Sequence, residues 1–433
     1  MEFSLFSASA VFPGALPHPV FIMTSLGPIF ADDLARVKPG DRLRLTISAQ
    51  TSDAAALAQA ALEARARGER VLVVCADPAD VPRLAQEMPW FEPKLDVRPL
   101  PDWETLPYDV LSPQEELVSE RLEALYRLTA PTGGADVLLT SAVTASQRLS
   151  PVSYIGANTF FFHQGEQISL TTLQKRLAAA GYANVKQVLA AGEFAVRGSI
   201  VDVFPMGSER PFRLDFFDDE IESIRWFDVD TQRSMESAEG IRLLPGHEFP
   251  VDPEALLAFR QRWRREFAGD PKKSIVYCDI EKEILPPGIE YYLPLFFDET
   301  AALTDYLPPN ARVFLLGDIE AALQAFGRDM ASRYKVLAAD PQRPALAPER
   351  IWLKPEEFFK SLANFARFTV EKKENAEDLK RLSGIEVDRK SQNPVGKLLE
   401  RTCESAMKGV RTLIAAPSAG RMETMSQLLR TGG

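Results

Sequence analysis

A loop that holds nucleotide phosphates needs glycines whose backbone N–H groups can surround them, a lysine for the β- and γ-phosphates and a Ser or Thr for the metal. Where such a loop would stand in this chain, between a first strand and a first helix, the sequence reads SAQTSDAA, Ser48 to Ala55, without glycine or lysine. The one Gly-Lys pair, Gly396-Lys397, has Ser391 where the motif requires its first glycine. The acidic run VYCDIE, Val276 to Glu281, reads as a strand end with solvated carboxylates. No ATP turnover and no bound cofactor are therefore expected. Cys75, Cys278 and Cys403 are far apart, as are His18, His163 and His247. They give no zinc spacing, no disulfide framework and no base assignable to a nucleophile. Catalytic residues and a metal are expected to be absent, and the missing disulfide pattern fits a reducing compartment, the cytoplasm.

The chemistry that remains is recognition. In GEFAVRGSIVDVFPMGSERPFRLDFFDDEIESIRWF, Gly192 to Phe227, strand alternation sets Phe212, Leu214 and Phe216 on one face and Arg213, Asp215 and Phe217 on the other. Arg197 can share that second face from a neighbouring strand. Arginines and aromatics are the side chains enriched at the centres of protein interfaces. Taken alone, the pattern suits a docking face and a packed inter-domain contact equally. From Glu193 to Asp230 there are ten acidic residues and four arginines, and the whole chain carries a formal charge of -11. Such a surface repels a phosphate backbone, leaving room only for a local basic patch. Asp218, Asp219 and Glu220 read as a solvated hairpin turn.

The elements that must position these residues fall into several domains, since 433 residues exceed one average domain. Residues 1–25 read as a loose arm. They carry no lysine or arginine and are broken by Pro13, Gly14, Pro17 and Pro19, which suits neither a signal peptide nor a membrane span. Residues 26–158 alternate LRLTIS, DAAALAQAALEARARG, RVLVVCA and DPADVPRLAQEM, the rhythm of a parallel sheet covered by helices. Asp53 is expected to cap the first helix, Gly68 to end it, and Asp77-Pro78 to open the second. Trp103 and Tyr108 are read as anchors of a Pro-rich loop. Residues 159–245 change texture to one helix followed by antiparallel strands, a small α+β insertion, and 246–338 return to the first domain. Residues 339–350, with three prolines, form the clearest linker. Residues 351–433 are expected to be a separate small α/β domain with RTLIAAP as a buried strand.

The segments LPDWETLPYD, SERLEALYRL, GEFAVRGSIVDVFPMGSERPFRLDFFDDEIESIRWFDVDTQRS, LLPGHEFP and LPPGIEYYLPLFF carry a resemblance. Over roughly Leu43 to Phe297 the chain resembles the N-terminal region of the bacterial transcription-repair coupling factors (Mfd). The resemblance implies an α/β protein with a degenerate, helicase-like (RecA-type) parallel-sheet domain, similar to UvrB, split by a small α+β domain that docks UvrA. It carries the UvrA contacts onto Arg197, Arg213 and Phe217. It implies a recruitment module of transcription-coupled nucleotide excision repair. In the intact family protein, RNA polymerase and duplex DNA are further partners, ATP and Mg belong to a C-terminal motor, and a C-terminal domain masks the docking face. The competing reading is a DNA-binding module of a repair helicase.

Overall fold

The computed structural model describes residues 4–6, 36–48, 52–130, 134–373, 393, 395–409, 412, 414–416 and 419–431. Apart from Ser4–Phe6, the arm over 1–25 lies outside them, as does the 49–51 part of the SAQTSDAA loop. The first elements follow the expected alternation. Strand β1 (Arg42–Ser48) leads to helix α1 (Ser52–Ala66), then β2 (Val71–Cys75), α2 (Asp80–Phe91) and β3 (Val97–Pro99). Helix α3 (Glu115–Thr129) and strand β4 (Val137–Ser141) follow. Every residue of β2 and β4 is buried, which is why they read as continuous apolar runs: a parallel sheet is covered on both faces. Alanines at 54, 56, 58, 60, 61 and 64 let α1 lie close against the sheet, and Gly68, at φ +69°, ends the turn that follows. Asp53 is not a free cap. It lies inside the first turn of α1 with its buried carboxylate held by the Arg83 guanidinium at 2.6 Å. Asp77 does accept the Ala79 N–H at 2.9 Å ahead of α2. Trp103 meets Tyr291 edge to face at 5.4 Å and Tyr108 meets Trp352 at 5.8 Å, so both anchor the loop between β3 and α3.

The middle of the chain forms a second sheet. Helix α4 (Leu170–Ala179) is followed by β5 (Ala183–Asn184), β6 (Glu193–Arg197), β7 (Ile200–Val203), β8 (Phe212–Phe217), β9 (Glu220–Phe227) and β10 (Ser234–Ser237). They lie in the order β10-β9-β8-β7-β6-β5, antiparallel except for the last pair. The Ser169 hydroxyl caps α4 and Gly181, at φ +90°, closes it. The inner face, with Phe194, Val201, Leu214, Phe216, Ile221 and Ile224, shares one continuous core with α3 and α4. Helix α3 fixes the insertion through polar contacts as well. Ser119 Oγ accepts the Gly207 N–H at 2.7 Å, and Glu123 pairs with both Arg127 and Arg242.

The return corrects two expectations. VYCDIE is not a strand end: helix α5 (Pro253–Glu266) is followed by α6 (Ile275–Glu281). Ser274 caps α6, and Val276, Tyr277 and Ile280 are buried at the spacing of a helix face, a periodicity that a short apolar run conceals. Strand β11 (Arg312–Leu316) and helix α7 (Ile319–Leu337) precede the Pro-rich stretch. The second correction concerns the domain expected from residue 351. Strand β12 (Ala366–Lys373) enters the first sheet, parallel to β1 on one side and β11 on the other. The sheet order is β1-β12-β11-β2-β4-β3, all parallel. Phe368 and Val370 are fully buried there, and Phe368 stacks on Phe314 at 4.7 Å. The stretch 339–350 is thus part of a crossover between parallel neighbours, a connection that needs a dozen or more residues. Ile414–Ala416, within the RTLIAAP run, pairs antiparallel with Ser4–Phe6 instead of joining this sheet.

Glu290 gives this region a pH dependence. It is buried, accepts the Ser112 hydroxyl at 2.8 Å, and burial pushes its carboxyl up to about 7. The same Ser112 oxygen accepts the N–H of Gly288, whose φ of +77° and close approach to the Asp109 carbonyl exclude a side chain. An unfolded chain ionises this carboxyl near its ordinary value of 4.5, so the contribution is complete below that pH and is lost as pH rises through about 7. We expect Glu290→Gln to raise stability at pH 8 by on the order of 2 kcal/mol and to flatten the pH dependence between 5 and 7 in urea titrations. Equal stability of the two proteins at pH 8 would refute this.

Candidate functional site

The outer face of the second sheet is set by register. Ala195, Asp202, Arg213 and Arg225 form one cross-strand row over β6, β7, β8 and β9, and Arg197, Ile200, Asp215 and Ser223 form the next. Phe217 and Glu220 pair beyond them, beside the hairpin turn. A bulge between Asp215 and Phe216 leaves Glu222 as the extra residue of β9, which keeps Phe216 on the buried face and Phe217 on the open one. Arg197, Arg213 and Phe217 do share one face, as alternation predicts.

They do not share one environment. At one end the face is closed: Val188, Ala195 and Phe227 make a small cluster of their own. Arg213 belongs to this closed end. Its guanidinium lies over the Phe227 ring at 5.0 Å and grips both oxygens of Asp202, at 2.6 and 2.9 Å. It also reaches Ser234 Oγ at 3.1 Å and the Gln232 carbonyl at 3.2 Å. Asp202 is 1% exposed, and its hydrogen bonds hold the Arg213 guanidinium still more firmly protonated. Arg213 is therefore half-buried and already engaged.

The other end is open. Phe217 is 69% exposed, and Arg197 is exposed with its Nη2 donating to the Lys186 carbonyl at 2.8 Å. Both stand beside tight turns, with Gly198 at φ +62° and Asp218 at φ +51°. The Phe217 hairpin is pinned from outside. The Ile168 N–H donates to the Asp219 carbonyl at 2.7 Å, and Gln167 donates to the Glu220 carboxylate at 2.7 Å. A large ring is thus held out on a fixed support with Asp215, Asp218, Asp219 and Glu220 near it in the chain. Sequence reasoning missed two features here. Asp202, the lone acid of IVDV, was the visible signal that a buried cation had to come to it. Leu189, 57% exposed in the loop that Arg197 holds through Lys186, had no signal.

Among the described residues no group of His, Cys, Asp and Glu is arranged to hold a metal, and no helix is long and apolar enough to cross a membrane. Residues 160–249 match the family model of the UvrB interaction domain. The chain carries a UvrB interaction domain. All the strands of the open face lie inside that match. Beyond it, the chain is 38% identical over 367 residues to the transcription-repair-coupling factor of Escherichia coli (strain K12), covering 83% of this chain and 31% of the relative. It is 40% identical over 344 residues to that of Haemophilus influenzae, covering 77% and 29%, and 32% identical over 216 residues to that of Bacillus subtilis (strain 168), covering 46% and 18%. Its homologues are thus transcription-repair-coupling factors, and the chain spans about a third or less of their length.

Proposed function

We propose that this chain is a recruitment module of transcription-coupled repair that binds UvrA through the open end of the inserted sheet. The observation that carries the reading is Phe217, a phenyl ring 69% exposed on a pinned hairpin inside the UvrB interaction domain. An aromatic on a hairpin whose backbone is already pinned leaves little chain freedom to lose on binding, which favours it as an anchor. Arg197 and Leu189 extend the contact. The acidic residues beside the ring favour a partner surface with basic complement. Arg213 acts from behind, by fixing Asp202 and Phe227 and so the strand that presents the ring.

The parallel sheet is the degenerate, RecA-type core of a UvrB-like module, without ATP turnover and without a cofactor. In support, the N-terminus of α1 is occupied by the Asp53 carboxylate and its Arg83 partner, where a nucleotide phosphate would otherwise lie. On this reading ATP-driven translocation and RNA polymerase binding belong to the parts of the homologues outside this similarity, as does the domain that masks the docking face. The module acts in the cytoplasm.

The test is co-elution with purified UvrA on a sizing column. Wild type is expected to form the complex, while Phe217→Ala, folded by circular dichroism, weakens it by about 2 kcal/mol, some thirtyfold. Arg197→Ala should have a smaller effect in the same direction. Undiminished binding by both variants would refute the assignment of this face.

A further inference from the structure

Residues 260–273, RQRWRREFAGDPKK, contain six cations and two acids in a chain of net charge -11. Several of these charges are already used. Arg262 pairs with Asp298 at 2.6 Å, Arg260 lies 3.7 Å from Glu281, and the acid Glu266 is engaged by Arg350 at 3.3 Å. Arg264 and Lys272 are not used in this way: among the described residues neither forms an ion pair with a carboxylate. Both line a recess of about 360 Å³ between the end of α5 and the start of α6, together with Gly269, Asp270, Pro271 and Tyr277. Tyr277 is 1% exposed, and its ring carries the Arg264 guanidinium at 5.5 Å. Stacking holds this arginine at the recess before anything binds, so little side-chain freedom remains to be lost. The one acid in the lining, Asp270, is turned to the backbone, where its Oδ1 accepts the Lys272 N–H at 3.0 Å. Lys273 and Arg265 stand exposed beside it and continue the positive charge outward.

We propose that this recess binds a phosphate group, held by the planar fork of Arg264 and the ammonium of Lys272. A guanidinium suits a phosphate because two of its N–H groups can meet two oxygens at once, and the lysine adds a mobile second charge. The phosphate is either free or part of a nucleic-acid backbone, for which the neighbouring cations would provide the approach. The site is separate from the Phe217 face and does not depend on UvrA binding.

Isothermal titration of the full chain with inorganic phosphate, and fluorescence anisotropy with a labelled duplex oligonucleotide across a salt series, test it. Wild type is expected to bind phosphate in the millimolar range. The double variant Arg264→Gln, Lys272→Gln is expected to lose about tenfold or more, as charge-assisted hydrogen bonds are removed. Tyr277→Leu, which removes the stacking surface, should weaken binding too, whereas Tyr277→Phe keeps the ring and should bind as wild type. The Phe variant is also the folding control, because the Tyr277 hydroxyl is buried without a partner. Duplex binding that inorganic phosphate displaces, with a log-log salt slope that falls by about one to two in the double variant, assigns the phosphate to a nucleic-acid backbone. Phosphate binding without duplex binding assigns it to a free phosphate. Absence of both, or equal binding by wild type and the double variant, overturns the proposal.

Discussion

Arg121→Ala is expected to remove about 3–5 kcal/mol of stability, the cost of leaving a buried charge without its partner. Arg121 is 0% exposed on α3 and donates to both oxygens of Glu248, to the Pro101 carbonyl at 2.7 Å and to Gln147 at 2.9 Å. Its guanidinium lies over Trp103 at 5.3 Å, and the Trp103 indole N–H donates to the same Glu248 at 3.3 Å. One side chain thus joins α3, the loop before it, the segment after β4 and the segment that leaves the inserted domain. Truncation strands Glu248 and opens a cavity under Trp103. The measurement is urea unfolding: the midpoint should fall with little change in slope. Replacing both partners by apolar residues, Arg121→Met with Glu248→Leu, should recover much of the loss, since no charge is then left unpaired. A single Arg121→Ala variant within about 1 kcal/mol of wild type would sink this account.

Arg213→Ala is expected to cost roughly 3 kcal/mol, again by orphaning a buried carboxylate. Here the acid is Asp202, and the lost contacts include its two hydrogen bonds and the stacking on Phe227. Phe217→Ala should leave stability almost unchanged, because its ring has little packing to lose. The two variants therefore separate fold from docking. Loss of UvrA binding in Phe217→Ala reports on contact, while loss in Arg213→Ala reports largely on the sheet that presents the contact. In a double-mutant cycle, Asp202→Asn should absorb part of the Arg213→Ala penalty. Additive effects of the two substitutions on the unfolding midpoint would show that the pair is not coupled.

What was legible in the sequence was periodicity. The alternation around Arg213 and Phe217 put the right side chains on each face of β8, because a strand's period admits only two faces. SAQTSDAA does not contain, as a local pattern, that Asp53 is clasped by Arg83, thirty residues on and in another helix. Residue type left Arg213 open between a docking face and a packed contact, and the resemblance carried a UvrA contact onto it. Its commitment to Asp202 is a property of register between strands that local pattern does not contain. VYCDIE was too short for its period to be resolved, and its capping serine, Ser274, lies two residues before the run. The strand Ala366–Lys373 was assigned to another domain because prolines look alike in a linker and in a crossover.

The position of β12 has a consequence for the order in which the molecule can be made. The strand that separates β1 from β11 is among the last ordered segments of the sheet to leave the ribosome, more than three hundred residues after the strand it pairs with. Until Ala366–Lys373 emerges, β1 lacks its pairing strand among the described residues and the edge of β11 that β12 pairs with is open. The inserted sheet is synthesised wholly within that interval. Its local hairpins can close early, while the sheet that surrounds it in sequence must wait for a pairing with a large loop-closure cost. During synthesis the nascent chain would therefore present a finished inserted sheet on an unfinished foundation, with an exposed strand edge of the kind that chaperones cover.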